Sequence, residues 1–241
     1  MIVRSTEKGW EVIHQQAHGL LALQAAMRWH PDRRPVRWPE TLVALSEHDD
    51  GQDEWEGSNH LTEAGAPKDF QILNYSVSQA KKMVSIALEK SRWNALMVSM
   101  HASFLYEPLR RENRELDAFL NQQQKNQQDW IKVLKTTRKE VQYGYDFLQW
   151  CDALSLILVQ NQLPPESRRL EISIGPDGVS YYILQRPDQT LAVEPWPFDC
   201  DEFEARVEVY QLSQLSFKDD PDLYNALLEA PIEERCWIFR K

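Results

Sequence analysis

Residues 145–160 read YDFLQWCDALSLILVQ. The run is apolar nearly all round, so its spacing predicts a helix buried on every side. In its middle stands Asp152, among Leu148, Trp150, Leu154, Leu156 and Ile157. An isolated charge there is too costly, so this carboxylate must be paired, hydrogen-bonded or metal-bound. Two readings stand: a contact with a neighbouring helix, or a ligand to a metal ion.

Working back from this helix, residues 111–140 are strongly polar and include the run NQQQKNQQ. Leu116, Phe119, Leu120, Trp130, Val133 and Leu134 still trace a partial helical face, which predicts a long exposed helix. RWNALMVSMHASFLYEP reads as a helix that carries His101 and stops near Pro108. SQAKKMVSIALEKS reads as another, capped by Ser76. PETLVALSEHDD places His48 and Asp49 at the C-terminal end of a short helix, with Pro39 in its first turn. A polar loop follows (residues 50–69), long enough to act as a lid. Trp55 within it can cover a ligand or anchor the loop. HPDRRPVRWP is a loop by its prolines. From Gln16 an apolar stripe of Leu20, Leu21, Leu23, Ala25, Ala26 and Met27 predicts a helix with His18 in its first turn. Residues 2–5 and 10–14 form a hairpin around the turn TEKG. His14 then leaves the face of His18 and is surface or supporting.

Beyond Leu163-Pro164-Pro165 the period changes from 3.6 to 2. LEISI, VSYYILQ, TLAVEPWPF and EARVEVYQL read as antiparallel strands separated by GPDG and RPDQ. DPDLYNALLEA reads as a short helix and CWIFRK as a last strand. The expected fold is mainly α: a helical body over residues 1–165, including the hairpin 2–14, and a β-rich subdomain over 166–241 packed on it. The hairpin joins those strands in a smaller antiparallel β appendage, α+β overall.

Composition narrows the chemistry. A charge of −10 over 241 residues repels phosphate backbones at long range, so general nucleic-acid binding is not expected. No apolar run approaches the ~18 residues of a membrane span. The first residues lack the apolar core of a secretory signal, so a cytoplasmic location is expected. The three cysteines are too few and too far apart for a disulfide framework or a CxxC zinc site. Neither GxGxxG, a P-loop nor GxSxG occurs, which removes kinase, dinucleotide-enzyme and serine-hydrolase readings.

What remains is a spaced set of imidazoles and carboxylates: His18, His48-Asp49, His101 and Asp152. Such donors suit a divalent first-row ion when separate elements bring them together. Singly each is weak, since a histidine on an apolar helix face is usually a satisfied core residue, and Asp49 belongs to an acidic helix end.

The order H…HD…D resembles the HD-domain superfamily of metal-dependent phosphohydrolases. The segments QQAHGLLALQ, LSEHDDG, VSMHASFL and LQWCDALSL are similar to a bacterial branch of it whose function is uncharacterised. The likeness covers about residues 9–165, and the β-rich remainder also resembles that branch. It implies that His18, His48, Asp49 and Asp152 hold one divalent ion (Mn, Fe, Co, Ni, Zn or Mg). It further implies that a metal-activated water hydrolyses a small phosphorylated, nucleotide-like molecule. Many such hydrolases carry an acid three positions after the motif Asp. Here that position is Gln52, so Asp50, Asp53 or Asp49 itself is the candidate water-activating carboxylate. His101 has three readings: ligand to a second metal (with His60), phosphate contact or general acid, or supporting hydrogen bonder. Arg33 and Arg34, with Arg28 and Arg37, offer a phosphate clamp, although a solvated loop paired with nearby acids is the plainer reading. Lys82 is a further candidate contact. The rivals are a di-iron oxygenase, which needs both His60 and His101, and a metal-binding sensor without turnover.

Overall fold

A computed structural model of the chain describes residues 1–50, 60–72, 76–111 and 113–241. The hairpin forms as β1 (Ile2–Thr6) and β2 (Gly9–Ile13), and α1 (Gln15–Ala26) follows at once. Helices α2 (Trp38–Ser46), α3 (Val77–Lys90) and α4 (Arg92–Tyr106) come next. Ser76 and Ser91 start α3 and α4, each side-chain oxygen accepting a backbone N–H of the first turn.

The polar stretch 111–140 is not one helix. It holds α5 (Arg114–Leu134) and the start of α6 (Arg138–Val159). Lys135 adopts a left-handed conformation at φ 52° and ends α5. Thr137 and Glu140 then form a reciprocal capping box that opens α6.

Strands β3 (Leu170–Ile174), β4 (Ser180–Gln185), β5 (Leu191–Glu194), β6 (Glu202–Leu212) and β7 (Ile232–Arg240) complete the chain, with α7 (Asp220–Glu229) before the last. They join the hairpin in one seven-stranded sheet, ordered β1-β2-β6-β7-β5-β4-β3. The pairing is antiparallel except for β5 beside β7, which is parallel at Leu191 and Phe239.

This corrects the expected architecture. The fold is α+β, about half helix, with a curled, mixed half-barrel sheet rather than a helical body bearing a minor antiparallel appendage. The physical reason lies in the core. Trp29 of the segment after α1 and Trp150 of α6 meet edge-on with ring centroids 4.9 Å apart. Trp150 in turn packs on Tyr181 of β4 at 5.4 Å, and Trp29 on Phe198 at 6.4 Å. One continuous apolar cluster therefore runs from Ile2 and Leu21 through Trp93 and Phe147 to Tyr181 and Phe239. Helices and sheet bury each other's apolar face, and neither layer is peripheral.

α1 also differs from its expected stripe. Leu20 and Met27 are more than half exposed, whereas His18, Gly19, Leu21, Ala22 and Ala25 are buried. Gln24 explains part of that orientation. Its amide accepts from Arg206 N–H at 3.0 Å and donates to Arg206 C=O at 2.9 Å, pairing β6 beyond the end of β2. Among the described residues no helix is long and apolar enough to cross a membrane.

Candidate metal centre

Four separate elements bring the candidate ligands together. His18 lies in the first turn of α1 and His48-Asp49 in the turn that ends α2. His101 comes from α4 and Asp152 from α6. Gly19 makes the first of these approaches possible. A Cβ at this position would stand 2.7 Å from the carbonyl oxygen of Ser46, so only glycine lets α1 come this close to the end of α2.

All five side chains are buried, the three imidazoles at 1–2% exposure. His18 Nδ1 is bonded to the carbonyl of Gln15, and His48 Nδ1 to that of Leu45 at 2.7 Å. A carbonyl only accepts, so each Nδ1 carries a ring proton and each ring turns its Nε2 inward. These two nitrogens are 3.3 Å apart. Asp152 Oδ1 lies 3.3 Å from both, and Asp49 Oδ2 lies 3.6 and 3.8 Å from His18 and His48. Each carboxylate thus faces both ring nitrogens, and without positive charge between them such donors repel one another. Donors held 2.0–2.2 Å from one ion are separated by about 3.0–3.6 Å, according to geometry. The two imidazoles and Asp152, all 3.3 Å apart, fit that requirement, and Asp49 at 3.6 and 3.8 Å lies at its outer edge.

The surroundings also fit. Gln15 donates its side-chain amide to Asp49 Oδ2 at 3.0 Å, so one residue orients both His18 and Asp49. Asp49 Oδ1 and Asp152 Oδ1 have no hydrogen-bond partner among the described residues, although both are buried. Burial works against charge on His48, yet the carboxylates of Asp49 and Asp152 override it and raise the imidazole to about 10. Burial alone pushes the Asp152 carboxyl up, but nearby His48 and His18 hold it well below the usual range. Asp49 is lowered against its burial by His48, then His18. The centre therefore attracts a cation, whether a proton or a metal.

His101 extends this group. Its ring meets that of His48 edge-on, with centroids 4.8 Å apart, and its donor atom stands within 4.8 Å of those of His48 and Asp152. Burial, reinforced by His48, lowers it to about 4, so the ring is neutral.

The other candidates lie elsewhere. His60 bonds through its backbone N–H to Asp220 Oδ1 at 3.1 Å and through Nδ1 to Oδ2 at 3.3 Å, at the start of α7. Its loop is tied down by Phe70 N–H to Met1 C=O and Phe217 N–H to Gly65 C=O, both at 2.8 Å. Asp50 adjoins the cluster in sequence but borders a hollow with Glu47, Met83 and Lys90. Burial, then Glu47, raises its carboxyl. Arg33 reaches Asp177 at 4.0 Å. Arg34 pairs with Asp199 at 3.5 Å and lies over the Trp38 ring. Both arginines serve loops of the sheet. Lys82 is exposed on α3. Asp53, Gln52 and Trp55 lie outside the described residues, as do all of residues 51–59 of the expected lid.

Two neighbours of the centre went unread in the sequence: Gln15 and Tyr145. Gln15 precedes His18 by three residues and Tyr145 precedes Asp152 by seven, both helical spacings that return to one face.

With this geometry in view, the chain can be compared with known proteins. A family model described as "Protein of unknown function (DUF3891)" matches residues 1–214. The chain belongs to this family. The DUF3891 match spans every element that supplies the centre. No curated protein and no solved structure matches the chain.

Proposed function

We propose that this chain is a metal-dependent hydrolase of small phosphoesters, related in its centre to the HD-domain superfamily. The observation that carries the reading is the approach of two carboxylate oxygens to two imidazole nitrogens, each oxygen 3.3–3.8 Å from both nitrogens, from three helical elements. His18, His48, Asp49 and Asp152 would hold one divalent ion, with borderline N/O donors suited to Mn, Fe, Co, Ni or Zn, and Mg also open. When bound, such an ion supplies Lewis acidity, lowering the pKa of a coordinated water and offsetting charge on a phosphoryl oxygen.

The chain's own residues do the rest. The carbonyls of Gln15 and Leu45 lock both imidazoles in the donor tautomer, and the Gln15 amide fixes Asp49. His101 stays neutral beside the ligands and offers a ring nitrogen to substrate. The order H…HD…D and the acidic surface both favour a small phosphorylated substrate over nucleic acid. The cytoplasm is the proposed location.

One observation favours a second reading. Every ligand is nearly sealed from solvent, as in metal sites that serve stability or sensing rather than turnover. The oxygenase alternative draws less support, because its second metal needs His60, which is engaged with Asp220. The test is turnover by chelator-free protein, loaded in turn with Mn, Co, Ni, Zn and Mg, on phosphomonoesters, phosphodiesters and nucleotides. Hydrolysis lost in His48→Ala supports the hydrolase. Stoichiometric metal with no turnover on the whole panel favours the sensor.

A further inference from the structure

Two polar atoms beside the centre are buried with no hydrogen-bond partner among the described residues: Tyr145 OH and His101 Nδ1. Both side chains are at least nine-tenths buried, at 5% and 2% exposure. Leaving such groups unpaired is costly, and native structures rarely do so without a bound partner or a functional reason. They are neighbours, with ring centroids 6.5 Å apart and planes tilted by 56°. Tyr145 stands on α6 two helical turns before Asp152, and His101 lies edge-on to His48. Both therefore stand beside the ligand cluster, on the two helices α4 and α6.

We propose that Tyr145 OH and His101 Nδ1 form an oxyanion subsite, holding one oxygen of a tetrahedral anion whose other oxygens face the metal centre. The inference rests on the hydrolase reading and deepens it. A phenol donates one short hydrogen bond, which an anionic oxygen accepts more strongly than water does. The imidazole contributes Nδ1–H to the same oxygen, an arrangement left open by the lack of any carbonyl against that nitrogen. Donors placed where charge accumulates, in a site closed to water, are the arrangement that stabilises phosphoryl transfer. The same geometry discriminates against substrates without a free anionic oxygen beside the reacting one.

The experiment compares wild type with Tyr145→Phe, both loaded with Mn, for metal content, melting temperature and binding of inorganic phosphate by calorimetry. The Phe variant should keep its metal and melt no lower than wild type, because the change removes an unsatisfied buried hydroxyl. Its phosphate affinity should fall by about tenfold or more, the worth of one hydrogen bond to a charged group. Equal phosphate affinity in the two proteins overturns the subsite, and so does loss of metal or of fold in Tyr145→Phe. Phosphoester turnover by wild type separates this inference from its foundation. Turnover with equal phosphate binding discards the subsite and leaves the hydrolase reading standing. A metal-loaded wild type that neither turns over phosphoesters nor binds phosphate discards both.

Discussion

At His18 and His48 the Nδ1 protons are committed to backbone carbonyls, so the inward nitrogens, 3.3 Å apart, would meet as two bare lone pairs if nothing lay between them. That conflict is resolved by a proton or by a metal, and the two compete. Metal binding must displace the proton that His48, raised to about 10, otherwise holds. Apparent affinity should therefore climb about tenfold per pH unit below that value, with roughly one proton released per ion, measurable by calorimetry in buffers of different ionisation enthalpy. A pH-independent affinity between 7 and 9 would count against this coupling. The sign for metal-free protein is opposite. Stabilisation through His48 is full below its ordinary 6.5 and fades as pH rises towards about 10. Stabilisation through the lowered Asp49 and Asp152 is present above their ordinary 3.8 and lost in acid. Stabilisation through His101, lowered to about 4, is present above its ordinary 6.5 and lost as pH falls towards 4. Melting in EDTA should thus peak near pH 6.5 and decline on both sides, and divalent metal should reverse the alkaline decline. Gln15→Ala removes the amide that orients Asp49, and a 10–100-fold loss of metal affinity is expected with the fold retained. The ligand residues themselves are legible in the sequence because a buried Asp and spaced histidines are costly unless used. Gln15 and Tyr145 are not, since one glutamine or tyrosine on a mixed helix carries no such cost signal until its partners are seen.

Among elements, the approach of α1 to α2 sets the centre. Gly19→Ala places a methyl 2.7 Å from the Ser46 carbonyl, which is backbone and cannot swing aside. The expected result is about 1–3 kcal/mol of destabilisation, as for other overpacked contacts, and weaker metal binding because His18 and His48 move apart. Chemical denaturation and metal titration check both parts, and an Ala variant indistinguishable from wild type would show that the approach is not limiting. The helices of the body are readable from periodicity and caps, down to Ser76. Two details escape that logic. Apolar periodicity alone turned α1 too far, because Leu20 and Met27 face out while Gln24 turns to β6. The polar stretch hides the break between α5 and α6, since Lys135 is an unremarkable left-handed residue and the signal lies in the Thr137–Glu140 box.

At the scale of the whole molecule, alternating strands at both chain ends announce a sheet, but not its share of the fold. The sheet and the helices share one large apolar cluster through Trp29, Trp150, Tyr181 and Phe198, and such long-range packing leaves no local signature in sequence. A chain cut after Pro165 exposes that core and loses β3–β7, including β6, which pairs with β2. It should fail to give a cooperative melt, and a folded, metal-binding 1–165 fragment would contradict the shared core. Intact protein at metal concentrations a hundredfold above Kd should gain about 2.7 kcal/mol, or roughly 5–10 °C in Tm. The most direct measurement of the central claim is elemental analysis of protein purified without chelator, beside Asp49→Ala. About one divalent ion per wild-type chain, absent from the variant, is the predicted result. No metal in wild type, even after reconstitution with each candidate ion, would mean that the converging imidazoles and carboxylates are held by protons alone, and the metal centre would be withdrawn.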